Sequence, residues 1–232
     1  LLSFTIYGYG QGGFPIVETI TGANAKARVT TNRFMGVTQV SVSGNSGSVQ
    51  VGSFAPTVFA VPRQVTIVAA ADESGNTFTI TGINSNGMPV TETVTGPNAG
   101  TATSTVYYSA VSSVKISGDA AGALTVGMTN TTASSWVRFD DFAPSNISIQ
   151  CVVNGSATYT VQSTLDDPYD PINPVAASSM TWVNSSDTNV VAALATKQSN
   201  FLFAPKYARV ILTTTSLGSV SATFMQSSNG PL

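Results

Sequence analysis

The side chains that could do chemistry in this sequence are few, because the chain contains no histidine and a single cysteine, Cys151. Without histidine, Ser-His-Asp and Cys-His catalysis are excluded, and the commonest ligand of transition metals is missing. Cys151 belongs to an alternating apolar series with Ile147, Ile149 and Val153. This alternation predicts a buried, unreactive thiol on one face of a strand. A single cysteine also excludes an intrachain disulfide.

Two groups of aspartates are the next candidates. Asp166, Asp167 and Asp170 lie in DDPYDPINP, and carboxylate oxygens suit calcium. Their spacing matches no established calcium loop, and Asp-Pro pairs favour turns, so we expect a structural turn. Asp140 and Asp141 resemble the paired carboxylates of glycosidases, but adjacent residues on a strand point to opposite faces. We therefore predict no catalytic, cofactor-binding or metal-binding residue.

Glu18 and Glu92 each interrupt an alternating apolar series, PIVETIT and PVTETVT. A carboxylate in such a place is either paired with a cation or located on an edge strand, where its charge hinders sheet-to-sheet association. We favour the edge-strand interpretation, and a ligand site is the less favoured alternative.

Aromatic side chains could stack on sugars. The candidates are Tyr7, Tyr9, Phe14, Tyr107, Tyr108, Trp136 and Trp182. We expect most of them to lie in the core or in a subunit interface. An exposed aromatic cluster in a groove would instead indicate glycan recognition.

The composition describes a folded protein with an uncharged surface. Of the 232 residues, 42% are hydrophobic and only 9% are charged, against roughly 25% charged in a typical soluble domain. The net charge of −2 provides no basic field, so we expect no nucleic-acid partner. No apolar run approaches the roughly 18 residues of a membrane span, and the opening LLSFTIYGYG lacks the features of a signal peptide.

The elements that position these residues are repeated. FTIYGYGQGGFPIVETITG begins at Phe4 and FTITGINSNGMPVTETVTG begins at Phe78, 74 positions later. Roughly twenty of about fifty aligned positions are identical, which indicates a tandem duplication. The second copy is preceded by a strand-like segment, VPRQVTIVAAADESGNT, for which the first copy has no room. We expect an upstream segment or another chain to supply the missing strand, because folded proteins normally cover an open sheet edge.

Thr- and Val-rich runs alternate with turn residues, which predicts strands. In the second copy the predicted strands are Gln64–Ala70, Thr77–Ile83, Pro89–Thr95, Ser104–Tyr108, Val111–Ser117 and Leu124–Met128. NTTASS (Asn130–Ser135) predicts a linker. Beyond it the predicted elements are strands at Trp136–Phe142, Ile147–Val153, Thr158–Leu165, Met180–Val183, Phe201–Phe203, Ala208–Thr214 and Ser219–Gln226, and a short helix at Asn189–Thr196.

These patterns predict an all-β chain of tandem duplicated Ig-like β-sandwich modules followed by a distinct C-terminal β-sandwich, for which a jelly-roll-like arrangement is considered. The predicted domains are 1–56, 57–130 and 131–232. The first is expected to lack its N-terminal strand.

The segments FTITGINSNGMPVTETVTGPNAG, YYSAVSSVKISG and AGALTVG resemble Ig-like modules in structural proteins of tailed-bacteriophage virions. ATYTVQSTLDDPYDP, MTWVN and YARVILTTTSLGSVSATFMQ are similar to the module that often follows. The resemblance covers nearly the whole chain. It implies a homo-oligomeric, non-enzymatic virion part without cofactors or catalytic residues.

From this resemblance we expect a capsid decoration (cement) protein on the particle surface, bound to the major capsid protein or other virion proteins and forming homo-oligomers, with a trimer as the expected state. The alternatives are a structural protein of the tail, head–tail joint or fibre base, and a receptor-binding protein or adhesin that recognises surface glycans. A glycan-cleaving enzyme would need two carboxylates roughly 5–10 Å apart in an open cleft.

Overall fold

The computed structural model describes residues 2–10, 13–22, 28, 30–44, 57–213 and 218–227. The chain forms two compact units, Leu1–Ser53 and Phe54–Leu232. The predicted all-β class is confirmed, because the regular elements of the described residues are antiparallel strands and one 3-10 helix of three residues, Thr188–Val190. No helix within these residues is long and apolar enough to cross a bilayer.

The first unit contains a three-stranded antiparallel sheet. Its strands are β1 (Ser3–Tyr9), β2 (Pro15–Thr21) and β3 (Gly36–Val42), in the order β2-β1-β3. Ser3 pairs with Thr21, and Phe4 pairs with Val42. Between Tyr7 and Gly8 a bulge shifts the register of the β1–β3 pair.

The second unit contains the remaining strands. They are β4 (Thr57–Ala69), β5 (Thr77–Asn84), β6 (Pro89–Thr95), β7 (Thr101–Ile116), β8 (Leu124–Ala133), β9 (Val137–Arg138), β10 (Ile147–Asn154), β11 (Tyr159–Thr164), β12 (Val183–Asn184), β13 (Lys197–Phe201), β14 (Tyr207–Leu212) and β15 (Ser219–Gln226). One sheet has the order β12-β11-β14-β8-β4-β7-β5-β6, with β9 also paired to β14, and a second sheet has the order β13-β10-β15.

The sequence repeat is also a structural repeat. β5, β6 and the second half of β7 pair as β1, β2 and β3 do, with the paired positions displaced by the same 74 residues. The bulge recurs between Thr81 and Gly82. A Cβ on Gly82 would lie 2.2 Å from the carbonyl oxygen of Ala110, and a Cβ on Gly8 would meet the equivalent oxygen of Gly36 at 2.1 Å. The duplication is therefore preserved down to a bulge that only glycine fits, while the Ig-like type of the modules stays a prediction.

The long strand β7 pairs with two different strands, and the sheet bends around an apolar core along its length. The first half of β7 pairs with β4, as at Thr103 and Thr66, and its second half pairs with β5. The two halves enclose apolar residues from four strands: Val65, Ile67, Phe78, Ile80, Val90, Val106, Tyr108 and Val111. This arrangement is β-sandwich-like.

The prediction of a linker at Asn130–Ser135 is wrong, because β8 continues to Ala133. Thr132 pairs with Arg63 of β4 and with Leu212 of β14. Threonine is β-branched and favours strands, so these threonines mark a strand and not a linker. Residues 57–130 and 131–232 thus share one sheet and one compact unit. The three domain boundaries themselves stay a prediction.

Other elements differ from expectation in extent. The two strands predicted around Ser109 are one strand, β7. The strand predicted at Trp136–Phe142 is reduced to β9 because a turn begins at Asp140, whose carboxylate accepts the N–H of Phe142 at 2.9 Å. The helix predicted at Asn189–Thr196 is absent from the described chain: only the 3-10 helix forms, and Ala193 pairs with Tyr159 in a β-bridge.

The C-terminal strands enclose a second core between β11 and β14 on one side and the sheet β13-β10-β15 on the other. Its buried residues are Phe139, Ile147, Ile149, Cys151, Tyr159, Val161, Val190, Ala193, Phe201, Ala208 and Val210. Cys151 is fully buried there, as predicted. Burial raises the pKa of its thiol and outweighs a hydrogen bond with Tyr159 that lowers it.

Candidate functional site

A cleft of about 360 Å³ lies within the second unit, between the second repeat copy and the C-terminal strands. We call it the Trp136/Trp182 cleft. Its lining residues are Gln64, Asn84, Ser85, Thr105, Val106, Tyr107, Trp136, Gln162, Ala177, Ser178, Met180, Trp182 and Arg209. The volume falls within the range of small-molecule sites.

Arg209 is the central residue of the cleft. It lies in the middle of β14, and only 7% of its surface is exposed. Its guanidinium carbon lies 4.1 Å from the ring centroid of Trp182 and 5.2 Å from that of Tyr107. Nε donates a hydrogen bond to Oε1 of Gln162 at 2.9 Å. Arg209 forms no ion pair with a carboxylate in the part of the chain that the structure describes.

The guanidinium of Arg209 makes cation–π contacts with the rings of Trp182 and Tyr107. Burial lowers the pKa of Arg209 to about 10, although Tyr107 partly opposes this effect. The guanidinium therefore remains charged at neutral pH. Cation–π contact offsets part of the cost of burying a cation. The Nη edge of the guanidinium has no carboxylate partner among the described residues.

Strand pairing positions the groups around Arg209. Gln162 of β11 is directly opposite Arg209, and Tyr107 extends from β7 opposite Gln64. The segment after β8 is tied to the β5–β6 turn, because the N–H of Trp136 donates to Oδ1 of Asn86 at 2.7 Å. The cleft is thus built from both halves of the large sheet.

Two buried hydrogen-bond donors in the lining residues have no partner among the described residues: Nδ2 of Asn84 and Nε1 of Trp136. Asn84 is 1% exposed. Its Oδ1 accepts the N–H groups of Asn86 and Met88 at 2.9 and 3.0 Å, which fixes the orientation of the amide. Trp136 contacts the ring of Trp182 at 5.5 Å between centroids.

The hydrogen-bond donors of the cleft determine which kind of ligand it could bind. The guanidinium edge of Arg209 donates hydrogen bonds and cannot accept them. The Asn84 and Trp136 nitrogens are also donors, but both atoms are buried. No aspartate or glutamate is found among the described lining residues. Buried donors without partners are costly. The cleft is therefore suited to a ligand that supplies acceptor oxygens.

The aromatic candidates divide into three groups. Tyr107, Trp136 and Trp182 meet at the cleft. Tyr108 is fully buried in the core, as expected. The remaining three, in the first unit, are exposed, so a core position is wrong for them: Tyr7, Tyr9 and Phe14. Sequence reasoning missed Arg209 and Asn84; a lone arginine inside the apolar run YARVIL was the available signal.

Glu18 and Glu92 do lie on edge strands, β2 and β6. The expectation that the charge hinders association of sheets is wrong for Glu92, however, because Glu92 is only 8% exposed. Oε1 and Oε2 of Glu92 accept the N–H groups of Thr105 and Val106 at 2.6 and 3.2 Å. Glu18 accepts the equivalent N–H groups of Thr31 and Asn32 at 2.6 and 2.7 Å.

Both glutamates therefore serve as acceptors for backbone N–H groups at positions that no strand pairing of the described residues includes. Burial opposes ionisation of Glu18, but the hydrogen bonds from Thr31 and Asn32 outweigh it and lower the pKa of Glu18. The repeated carboxylate is a structural feature of the module and lies outside the cleft.

The three aspartates of DDPYDPINP accept backbone N–H groups, as the turn interpretation predicts. Oδ2 of Asp166 accepts from Thr181, Oδ1 of Asp167 from Tyr169, and Oδ1 of Asp170 from Ile172 and Asn173. Over the described ranges, no group of three or more His, Cys, Asp or Glu side chains is placed to hold a metal ion.

Asp140 and Asp141 follow β9 in a turn, so the expectation that they alternate along a strand is wrong. Asp141 forms ion pairs with Lys206 at 2.7 Å and with Arg138 at 3.6 Å. Asp140 binds the turn and Gln226. Because the two aspartates have different partners, we infer that each stabilises the turn after β9 and its neighbours.

Comparison of the chain with models of known protein families, with characterised proteins and with solved structures finds no match.

Proposed function

We propose that this chain is a non-enzymatic structural protein of a tailed-phage virion: a decoration protein that stabilises the head by contacts with the major capsid protein and with copies of itself. The resemblance of the repeated modules supports this assignment. The structural observation that carries it is a group of exposed apolar side chains at one end of the second unit.

We call this group the apolar end: Phe142, Leu202, Phe203 and Met225. Phe142 is 92% exposed and Leu202 is 85% exposed. β-Pairing places the group together, because Ile147 of β10 is opposite both Phe201 and Gln226, the chain neighbours of Leu202 and Met225. Nε2 of Gln226 donates to the carbonyl oxygens of Asp140 and Pro144, which flank Phe142.

Such a group indicates a protein interface, since large exposed apolar patches on soluble proteins usually mark interaction sites. Full burial of each large apolar side chain stabilises a complex by about 1.5–3 kcal/mol before the costs of association. A ligand that binds only the assembled shell stabilises it by mass action. Cyclic trimers would match local threefold positions of a capsid.

The test is binding of the purified chain to phage heads stripped of it, measured by co-sedimentation at several salt concentrations. With so few charges on the chain, binding by apolar contact should change less than about threefold between about 0.05 and 0.5 M salt. Phe142→Ser combined with Leu202→Ser should weaken binding by at least about tenfold.

Leu194→Ser is the matched control, because Leu194 is 73% exposed but lies beyond the opposite end of β13. It should leave binding unchanged. A chain that remains monomeric and does not bind heads would contradict the proposal. Binding to tails or to the head–tail joint instead of the shell would overturn the decoration role and keep the virion assignment.

A further inference from the structure

We propose that the Trp136/Trp182 cleft binds a sugar that carries a carboxylate, with the carboxylate on the Nη edge of Arg209. This goes beyond the assembly role, which needs no ligand cavity. The two proposals rest on different surfaces of the second unit, so each can fail without the other.

The charge of the cleft selects a singly charged anion. Arg209 is the one charged side chain among the described lining residues. A guanidinium presents two parallel donors that match a carboxylate. Phosphate groups usually meet several cations or a helix N-terminus, and no helix contributes to the described lining. A carboxylate therefore fits better than a phosphate.

The rest of the lining suits a ring with hydroxyl groups. Trp136 and Trp182 are both partly exposed and contribute apolar faces. Ser178 contributes a hydroxyl group that can donate to and accept from sugar hydroxyls. The side-chain oxygens of Gln64 and Thr105 can accept from them, while Nε2 of Gln64 donates to the carbonyl oxygen of Ser104 and the hydroxyl of Thr105 donates to Glu92. Apolar rings combined with a few polar groups are typical of sites that orient an amphipathic ligand.

The repeat shows that the cleft is a property of one copy. Positions 84 and 107 hold asparagine and tyrosine, while the equivalent positions of the first copy hold Gly10 and Arg33. The first copy therefore lacks both side chains. Asn84 and Tyr107, which differ between the two copies, lie on the face of the second copy that meets the C-terminal strands.

Intrinsic fluorescence provides a specific measurement, since Trp136 and Trp182 are the only tryptophans of the chain. We would titrate the full chain with D-glucuronate, its neutral methyl ester, D-glucose and acetate. Glucuronate should give a saturable change with a Kd on the order of 1 mM. The methyl ester, glucose and acetate should each bind at least about tenfold more weakly.

Arg209→Lys keeps the charge and removes the fork, and it should weaken glucuronate binding by about tenfold. Arg138→Gln is the control, because Arg138 is an exposed arginine of the same unit outside the cleft. If Arg209→Lys does not fold, as judged by circular dichroism, the comparison of glucuronate with its methyl ester still decides. Equal binding of the methyl ester, or of acetate, would overturn the proposal, as would no response to glucuronate.

Discussion

Replacement of Glu92 by glutamine tests the most specific structural consequence of the duplication. The carboxylate of Glu92 accepts four hydrogen bonds: Oε1 from the N–H and the hydroxyl of Thr105, and Oε2 from the N–H of Val106 and the hydroxyl of Tyr108 at 3.3 Å. Glu92→Gln keeps the shape and volume. It turns one acceptor oxygen into an NH₂ group that faces two donors.

The expected cost follows from that count. The hydroxyl of Tyr108 can turn to the carbonyl oxygen of Ile80, which is 3.5 Å away, but the N–H of Val106 cannot turn. A buried N–H without a partner costs about 1–3 kcal/mol. The remaining bonds to Thr105 lose the charge of their acceptor, at a cost of about 1 kcal/mol. Removal of a buried charge offsets part of this loss. We expect Glu92→Gln to lower the free energy of unfolding by about 2–4 kcal/mol.

Urea unfolding followed by tryptophan fluorescence measures this change, because both tryptophans lie in the second unit with Glu92. The m-value should stay the same. Glu18→Gln removes the equivalent contact from the first unit and is the matched control. We expect it to leave the fluorescence-detected transition unchanged. A loss under about 0.5 kcal/mol for Glu92→Gln would refute the role of the carboxylate as the acceptor for this part of β7.

Four further outcomes are expected. Tyr108→Phe installs the residue type of the first copy and should cost only about 1 kcal/mol in urea unfolding; a loss above about 3 kcal/mol would contradict the minor role of that hydroxyl. Gly82→Ala should prevent or strongly weaken folding, because its Cβ would collide with the carbonyl oxygen of Ala110; a soluble variant with wild-type melting temperature would show that the bulge can relax. The thiol of Cys151 should not react with a thiol reagent until urea unfolds the chain, since burial raises its pKa; rapid reaction of the folded chain would contradict its burial. Glu18, whose folded pKa lies below its ordinary value, should stabilise the first unit fully above about pH 4.3 and lose that contribution as the pH falls through its folded pKa; an acid-unfolding profile by circular dichroism that Glu18→Gln leaves unchanged would rule this out.

The parts of the fold that could be predicted are those in which alternation and turn residues agree. β6 and β15 were predicted with the bounds they have, because apolar and polar residues largely alternate along both strands and a glycine, Gly87 or Gly218, lies just before each of them. The bounds of β8 were missed because Asn130, Thr131 and Thr132 are polar, although threonine favours strands. A short polar strand and a linker have similar compositions.

The candidate site could be predicted only in part. Its aromatic residues were named because tryptophan and tyrosine are conspicuous in any sequence. Arg209 lies about a hundred positions from Tyr107, and the two meet only because β14 pairs with β8, β8 with β4, and β4 with β7. Long-range register of this kind depends on tertiary pairing, which local periodicity does not encode. The unpartnered amide of Asn84 likewise depends on the turn that engages its oxygen.

The proposed decoration role is tested most directly by the copy number of this chain in purified particles of a tailed phage whose genome carries its sequence. Quantitative mass spectrometry against the major capsid protein gives that number. A decoration protein arranged as trimers at local threefold positions predicts a fixed ratio of about one chain per capsid subunit. Absence of the chain from the particles, or only a few copies in each, would contradict the account.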